Sequence, residues 1–298
     1  TVLIKLSPRV RAILLALLVT FLWSTSWVLV KIGLRDIPAL PFAGLRYALA
    51  TLCLLPLAWR SGQLRALRAV STGTWLRLVA LGLLYYALTQ GAQFLSLVYL
   101  PAVTVSLLLS FTTVLVAWLG IGLLQERPTV MQWAGIGLYL AGVLVYFYPL
   151  AIPRGEIIGL VVAGVGVLAN ALSAILGRHV NRQGELEPLA VTTVSMGIGA
   201  VALLAGGVLV QGWPRLTWTH WAIVAWLAVV NSALAFTMWN RTLRVLSATE
   251  SSILNNSMLF QIAVLAWVFL GEPLAWPQIG GMVLAGLGTL AVQIRIRH

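Results

Sequence analysis

Charge is what this sequence has least of: 9% of its 298 residues are Asp, Glu, Lys or Arg, against roughly 25% in a soluble domain. Acids number seven, lysines two, histidines three and cysteines one. A chain that is 60% apolar cannot cover a water-facing surface with polar groups, so its solvent is hydrocarbon. The lone Cys53 lies in an apolar run; it excludes an intramolecular disulfide and reads as a small packing residue. His179, His220 and His298 fall in connections or at the terminus, and no spaced Asp pair exists. A metal site, a catalytic Ser–His pair and enzymatic activity are therefore not expected. Lys5 and Lys31 are the only lysines, too near the ends of a span for a Schiff-base cofactor. The G-x-x-x-x-G-K-[ST] loop is missing as well, which excludes an ATP-driven pump contained in this chain.

What is present is a series of long apolar runs. A bilayer span takes roughly 20 residues, and reading the runs between Pro and Gly breaks predicts ten helices. They are Arg11–Val30, Ala39–Trp59, Trp75–Val98, Pro101–Leu124, Met131–Tyr148, Glu156–Gly177, Pro188–Val210, Trp218–Asn240, Ser247–Leu270 and Ala275–Ile294. The first run comes after Lys5, Arg9 and Arg11 but has no small-x-small cleavage site, so it is expected to remain as a helix. Trp59, Trp75, Trp213, Trp218, Trp221 and Trp276 stand at span ends, where an interfacial belt forms.

The net charge of +12 would suggest nucleic acid in a soluble protein; here the cations sit at helix ends and read as a topology signal, with no nucleic-acid partner expected. With the N-terminus placed in the cytoplasm, 14 of the 19 basic residues fall on the cytoplasmic side and 4 on the other, with Arg46 inside the second helix. Both termini are expected inside, in a bacterial-type inner membrane.

The chain also matches itself. At an offset of 146, Leu100-Pro101-Ala102 aligns with Leu246-Ser247-Ala248, Glu126 with Glu272, Gln132 with Gln278, Gly135 with Gly281 and Gly142 with Gly288. At an offset of 147, Lys31 aligns with Arg178 and Pro41 with Pro188. Residues 1–150 and 151–298 are thus two five-helix halves. An odd number of helices inverts the second copy, the arrangement of secondary transporters with a midplane site between repeats.

Several motifs carry a family resemblance. Trp23-Ser-Thr-Ser-Trp-x-x-x-Lys31, Leu45-Arg46-Tyr47 and the twin blocks Tyr99-Leu-Pro-Ala…Glu126…Gln132-x-x-Gly135 and Leu246-Ser-Ala…Gly271-Glu272-Pro273…Gln278-x-x-Gly281 resemble the drug/metabolite transporter superfamily, in its ten-helix EamA-type branch. Leu22-Trp23-Ser24-Thr25 and Trp239-Asn240 resemble the YddG-like exporters of aromatic and other apolar amino acids. The resemblance implies a ten-helix fold, alternating access and export from the cytoplasm.

Polar residues inside the spans are the candidates for a site, since lipid satisfies none of their hydrogen bonds. Tyr86, Gln90 and Gln93 share a helix face, with Tyr85 alongside; Ser106, Ser110 and Thr113 share another. Asn170 and Ser173 stand at the repeat offset from Trp23 and Ser26, and Asn231, Trp239, Asn255 and Asn256 add amides and an indole. Arg46 is the one cation at depth, and Glu250, one turn into its helix, is the candidate for proton coupling. Each residue could equally be interhelical glue. As a set they describe a neutral, amide-rich cavity edged by Trp and Tyr. A small neutral or zwitterionic substrate with an apolar side chain fits it, carried without a cofactor; a passive channel or a carrier of another neutral metabolite, such as a nucleoside, is the alternative.

Overall fold

The computed structural model describes residues 7–124, 129–148, 153–242, 245–246 and 248–293. Lys5, Glu126, Arg127, Pro128, Pro149, Arg244, Ser247, Arg295, Arg297 and His298, all of which bear on the sequence reading, lie outside them. The described residues are helical and contain no strand. Among the described residues ten rods succeed one another: α1 (Pro8–Gly33), α2 (Ala39–Arg60), α3 (Thr72–Tyr99), α4 (Ala102–Leu124), α5 (Val130–Tyr146), α6 (Ile157–Gln183), α7 (Pro188–Gln211), α8 (Trp218–Ala228 and onward to Thr242), α9 (Ala248–Leu270) and α10 (Trp276–Gln293). Eight of these regions are long and apolar enough to cross a membrane; α5 is apolar but 17 residues long, and α10 has 18. The protein is an integral membrane protein.

Two rods change their hydrogen bonding midway. In α3 the stretch Gly82–Thr89 is π-helical, and in α8 so is Val229–Leu234. The two turns begin 147 residues apart, which is the offset at which Lys31 aligns with Arg178. A π turn inserts a residue into the helical repeat and rotates the remainder of the rod, and it is frequent at functional positions. The offset was legible in the sequence; the π turns were not, because the shifted bonds depend on what packs alongside.

Helix contacts fall into reciprocal sets. The α1 rod packs on α9 and α8, while α6 packs on α4 and α3; α2 meets α8 as α7 meets α3. Exchanging the two halves converts each of these contacts into its counterpart. Three pairs map onto themselves: α2 with α7, α4 with α9, and α5 with α10.

The α5–α10 pair explains the repeated glycines. A Cβ on Gly142 would come within 2.6 Å of Gly281 O, and one on Gly281 within 2.6 Å of Gly142 O. Likewise Gly135 faces Gly288 O at 2.8 Å and Gly288 faces Gly135 O at 2.7 Å. Backbone therefore lies on backbone, the approach that small residues permit between membrane helices. The repeated glutamines are explained too. Thr129 N donates to Gln132 Oε1 at 3.0 Å, and Ala275 N donates to Gln278 Oε1 at 2.8 Å, so each caps the first turn of its helix. Gly166 packs on Ala92 of α3, whereas Gly164 faces open space.

Gly137 provides an internal control, for a Cβ there meets nothing within 4 Å. Gly142→Val should separate α5 from α10 and destabilise the protein by about 1–3 kcal/mol or more, while Gly137→Val leaves stability unchanged. Thermal unfolding of the two variants in detergent checks this, and equal melting temperatures would contradict the packing.

Candidate functional site

The polar residues sort into two groups. The first lies where α1, α2, α3 and α8 meet, at the level of the two π turns. Asn231, in the π turn of α8, donates from Nδ2 to Leu22 O and, at 3.3 Å, to Thr25 Oγ1. Its main-chain oxygen accepts from Trp23 Nε1 at 3.0 Å. The Trp23 ring in turn lies 5.3 Å from Trp239 and 5.6 Å from Phe236. These contacts bind α1 to α8.

One residue on, Ser232 turns toward α2, where its Oγ accepts from Arg46 Nε at 3.2 Å. The same hydroxyl donates to Leu227 O at 3.0 Å, a carbonyl five residues back in the π register. Arg46 is 6% exposed, with its guanidinium carbon 5.2 Å from the Tyr47 ring centre and 5.9 Å from that of Phe94. Tyr47 donates to Gln90 Oε1 at 2.7 Å. It also makes an edge contact with Tyr86 at 5.5 Å, and Tyr86 stacks edgewise on Tyr85 at 4.8 Å. Gln93 is half-buried on the same rod.

The second group joins other helices. Asn170 of α6 donates to Thr112 Oγ1 of α4 at 3.1 Å. Ser110 donates to Leu107 O at 2.7 Å and lies 3.3 Å from the Tyr139 hydroxyl, linking α4 to α5. Asn256 of α9 donates to Gln293 Oε1 of α10 at 3.0 Å. Ser26 and Ser173 donate to carbonyls three residues back in their own helices, at 2.6 and 2.8 Å, so neither hydroxyl links two helices. Asn255 is on the exposed face of α9.

Thus the structure brings Trp23, Arg46, Tyr85, Tyr86, Gln90, Asn231 and Trp239 around one seam, with Ser110, Asn170 and Asn256 in separate interhelical bonds. The sequence reading omitted three members of the seam: Tyr47, Phe94 and Ser232. Tyr47 stood next to Arg46 in the Leu45-Arg46-Tyr47 motif and Ser232 next to Asn231, which was the available signal. Phe94 carried none. Gln261 was also missed; it accepts from Ser24 Oγ at 3.0 Å and donates to Ser257 Oγ at 2.9 Å, joining α1 to α9.

Ion pairs lie at the rod ends. Glu250 accepts from Arg9, with Nε at 3.0 Å, which ties the start of α9 to the start of α1. At the opposite end of α1, Lys31 Nζ donates to Leu97 O and Leu100 O, both at 2.6 Å. Glu272 there accepts from Ala102 N at 2.9 Å. Glu272 precedes α10 and caps α4. Lys31 and Glu272, one from each half, therefore grip the α3–α4 elbow from both sides. Arg178, the repeat counterpart of Lys31, is exposed.

Tyr47 and Gln90 are the joint between α2 and α3. In a double-mutant cycle of Tyr47→Phe and Gln90→Leu, the coupling in thermal stability should be about 0.6–1.7 kcal/mol. A coupling of zero would mean that the bond carries nothing.

Known proteins share this sequence pattern and this fold. The sequence profile of the EamA-like transporter family matches residues 10–148 and again 157–293. The uncharacterized transporter YvbV of Bacillus subtilis is 28% identical, over 94% of this chain and 90% of its own length. A protein of Salmonella typhimurium named as a probable amino-acid metabolite efflux pump is 28% identical, over 95% of this chain and 96% of its own. One crystal structure shares the fold at 17% identity, with a TM-score of 0.63 over 95% of this chain and 97% of the other. With the family profile matching both halves, the chain belongs to the EamA-like transporter family of the drug/metabolite transporter superfamily.

Proposed function

We propose that this transporter exports neutral amino acids with apolar or aromatic side chains, by alternating access around the seam between α1, α2, α3 and α8. The observation that carries the reading is the seam's chemistry: amides, hydroxyls and aromatic rings, with one buried guanidinium. A cationic drug would call for a carboxylate at this depth, and the described acids stand at rod ends or in connections. A phosphorylated substrate would call for several cations. A zwitterion needs few formal charges and profits from ring faces.

In this reading ten rods span a bacterial inner membrane with both termini cytoplasmic, and residues 1–150 and 151–298 are inverted copies. The reciprocal contacts, the matched π turns and the double match to the family profile support it. Inverted copies supply a mechanism, because each conformation of one half is available to the other. The grip of Lys31 and Glu272 on the α3–α4 elbow closes the outer end. Its counterpart at the cytoplasmic end would be built from Arg178 and the stretch at Leu246, forming when the outer grip opens. A proton reaching Glu250 would release Arg9 and loosen α9 from α1 at that end, which gives that acid a route to coupling. The name of the Salmonella relative agrees in substrate class.

Proteoliposomes loaded with unlabelled L-phenylalanine or L-leucine should take up the radiolabelled amino acid by counter-flow, saturably and with competition. Non-saturable uptake without counter-flow would replace the carrier by a facilitator. No uptake of any neutral amino acid by folded protein would redirect the search to other neutral metabolites.

A further inference from the structure

Alternating access by itself gives Arg46 no role. Its side chain is 6% exposed, and among the described residues it makes one hydrogen bond, to Ser232 Oγ, and no ion pair. A buried charge without a counter-charge is strongly disfavoured, and ring faces and one hydroxyl offset only part of its lost hydration. The described acids are engaged or remote: Asp36 with His220, Glu185 with Thr74, Glu250 with Arg9, Glu272 with Ala102 N, and Glu156 and Glu187 at helix starts. Among the described residues, then, a cation is built into the helices with no anion set against it.

We propose that the missing anion is the carboxylate of the transported substrate, and that Arg46 is its receptor. A guanidinium offers two parallel N–H donors to a carboxylate, a fit that ammonium groups lack. With Nε held by Ser232, the ring faces of Tyr47 and Phe94 lie beside the cation, where the apolar part of the ligand meets them. Asn231, the neighbour of Ser232 in the π turn, has its Oδ1 buried with no donor facing it. That is an acceptor for the ammonium of a zwitterion. The site thus selects one carboxylate, not two, and a free carboxylate rather than an amide or ester. Lys31 does not offer a second carboxylate site here, since its ammonium lies at the end of α1 and donates to Leu97 O and Leu100 O.

This deepens the amino-acid reading and rests on it for the ammonium alone, so the test separates the two. Binding of L-phenylalanine, L-phenylalaninamide and phenylacetate is measured by isothermal calorimetry on purified wild type, Arg46→Gln and Arg46→Lys, with the melting temperature of each. The expected result is that wild type binds L-phenylalanine about 10- to 100-fold more tightly than the amide, that Arg46→Gln loses this preference, and that Arg46→Lys regains part of it. Arg46→Gln should melt no lower than wild type, because the substitution removes an uncompensated charge; a structural cross-link would do the reverse. If phenylacetate binds with the same dependence on Arg46 and L-phenylalanine does not, the receptor stands and the amino-acid reading falls. Equal preference in wild type and Arg46→Gln, or no carboxylate binding to wild type, overturns the proposal.

Discussion

Hydrocarbon accepts no hydrogen bonds, and the whole arrangement depends on that constraint. Each polar side chain inside the bundle must find its partner on its own helix or on a neighbour. Ser26 and Ser173 take the first course; Asn231, Tyr47, Asn170 and Gln261 take the second and tie rods together. Bonds of this kind contribute only about 0.6 kcal/mol each on average, so they set which faces meet more than they set stability. The π turns obey the same constraint. They place Asn231 and Ser232 on consecutive residues of α8, one serving α1 and the other serving α2.

Lipid also removes the hydrophobic drive that packs soluble helices, leaving close backbone approach in its place. The α5–α10 contact is the clearest instance. Four glycines oppose one another in a pattern that is unchanged when the halves are exchanged. A contact that maps onto itself can act as a fixed axis while the other rods trade partners around it. The end of the bundle that carries the α3–α4 elbow is held by Lys31 and Glu272, from opposite halves, and the end that carries the chain start by Arg9 and Glu250, also from opposite halves.

Much of this was legible in the sequence. Apolar runs located the rods to within a few residues, because a span must be apolar along its length whatever its neighbours are. The repeated Gly135/Gly281 and Gly142/Gly288 are the residues that a close contact needs, since only a bare backbone permits one; the repeated Gln132/Gln278 marked the repeat alone, and the caps they form emerged only with the structure. Polar stripes identified the seam residues Gln90 and Asn231 but could not separate them from Asn170 or Asn256, because a stripe reports that a face is protein-covered and not by what. Ser232 and Tyr47 escaped notice for the same reason: their partners lie 186 and 43 residues away. The role of Glu272 was not legible, because a short connection lets its side chain cap the helix across from it instead of the one after it.

Alternating access requires the two ends of the bundle to open in turn around a site at the level of the π turns. Replacing Cys53 by Ser clears the chain for paired spin labels, one pair bridging the halves at the Lys31 end and one at the Arg9 end. Distances from double electron–electron resonance, recorded in liposomes with and without L-phenylalanine, then read both ends at once. The ligand is expected to change the two distances in opposite senses, one lengthening as the other shortens. Distances that move together, or that ignore the ligand while transport continues, would contradict alternation.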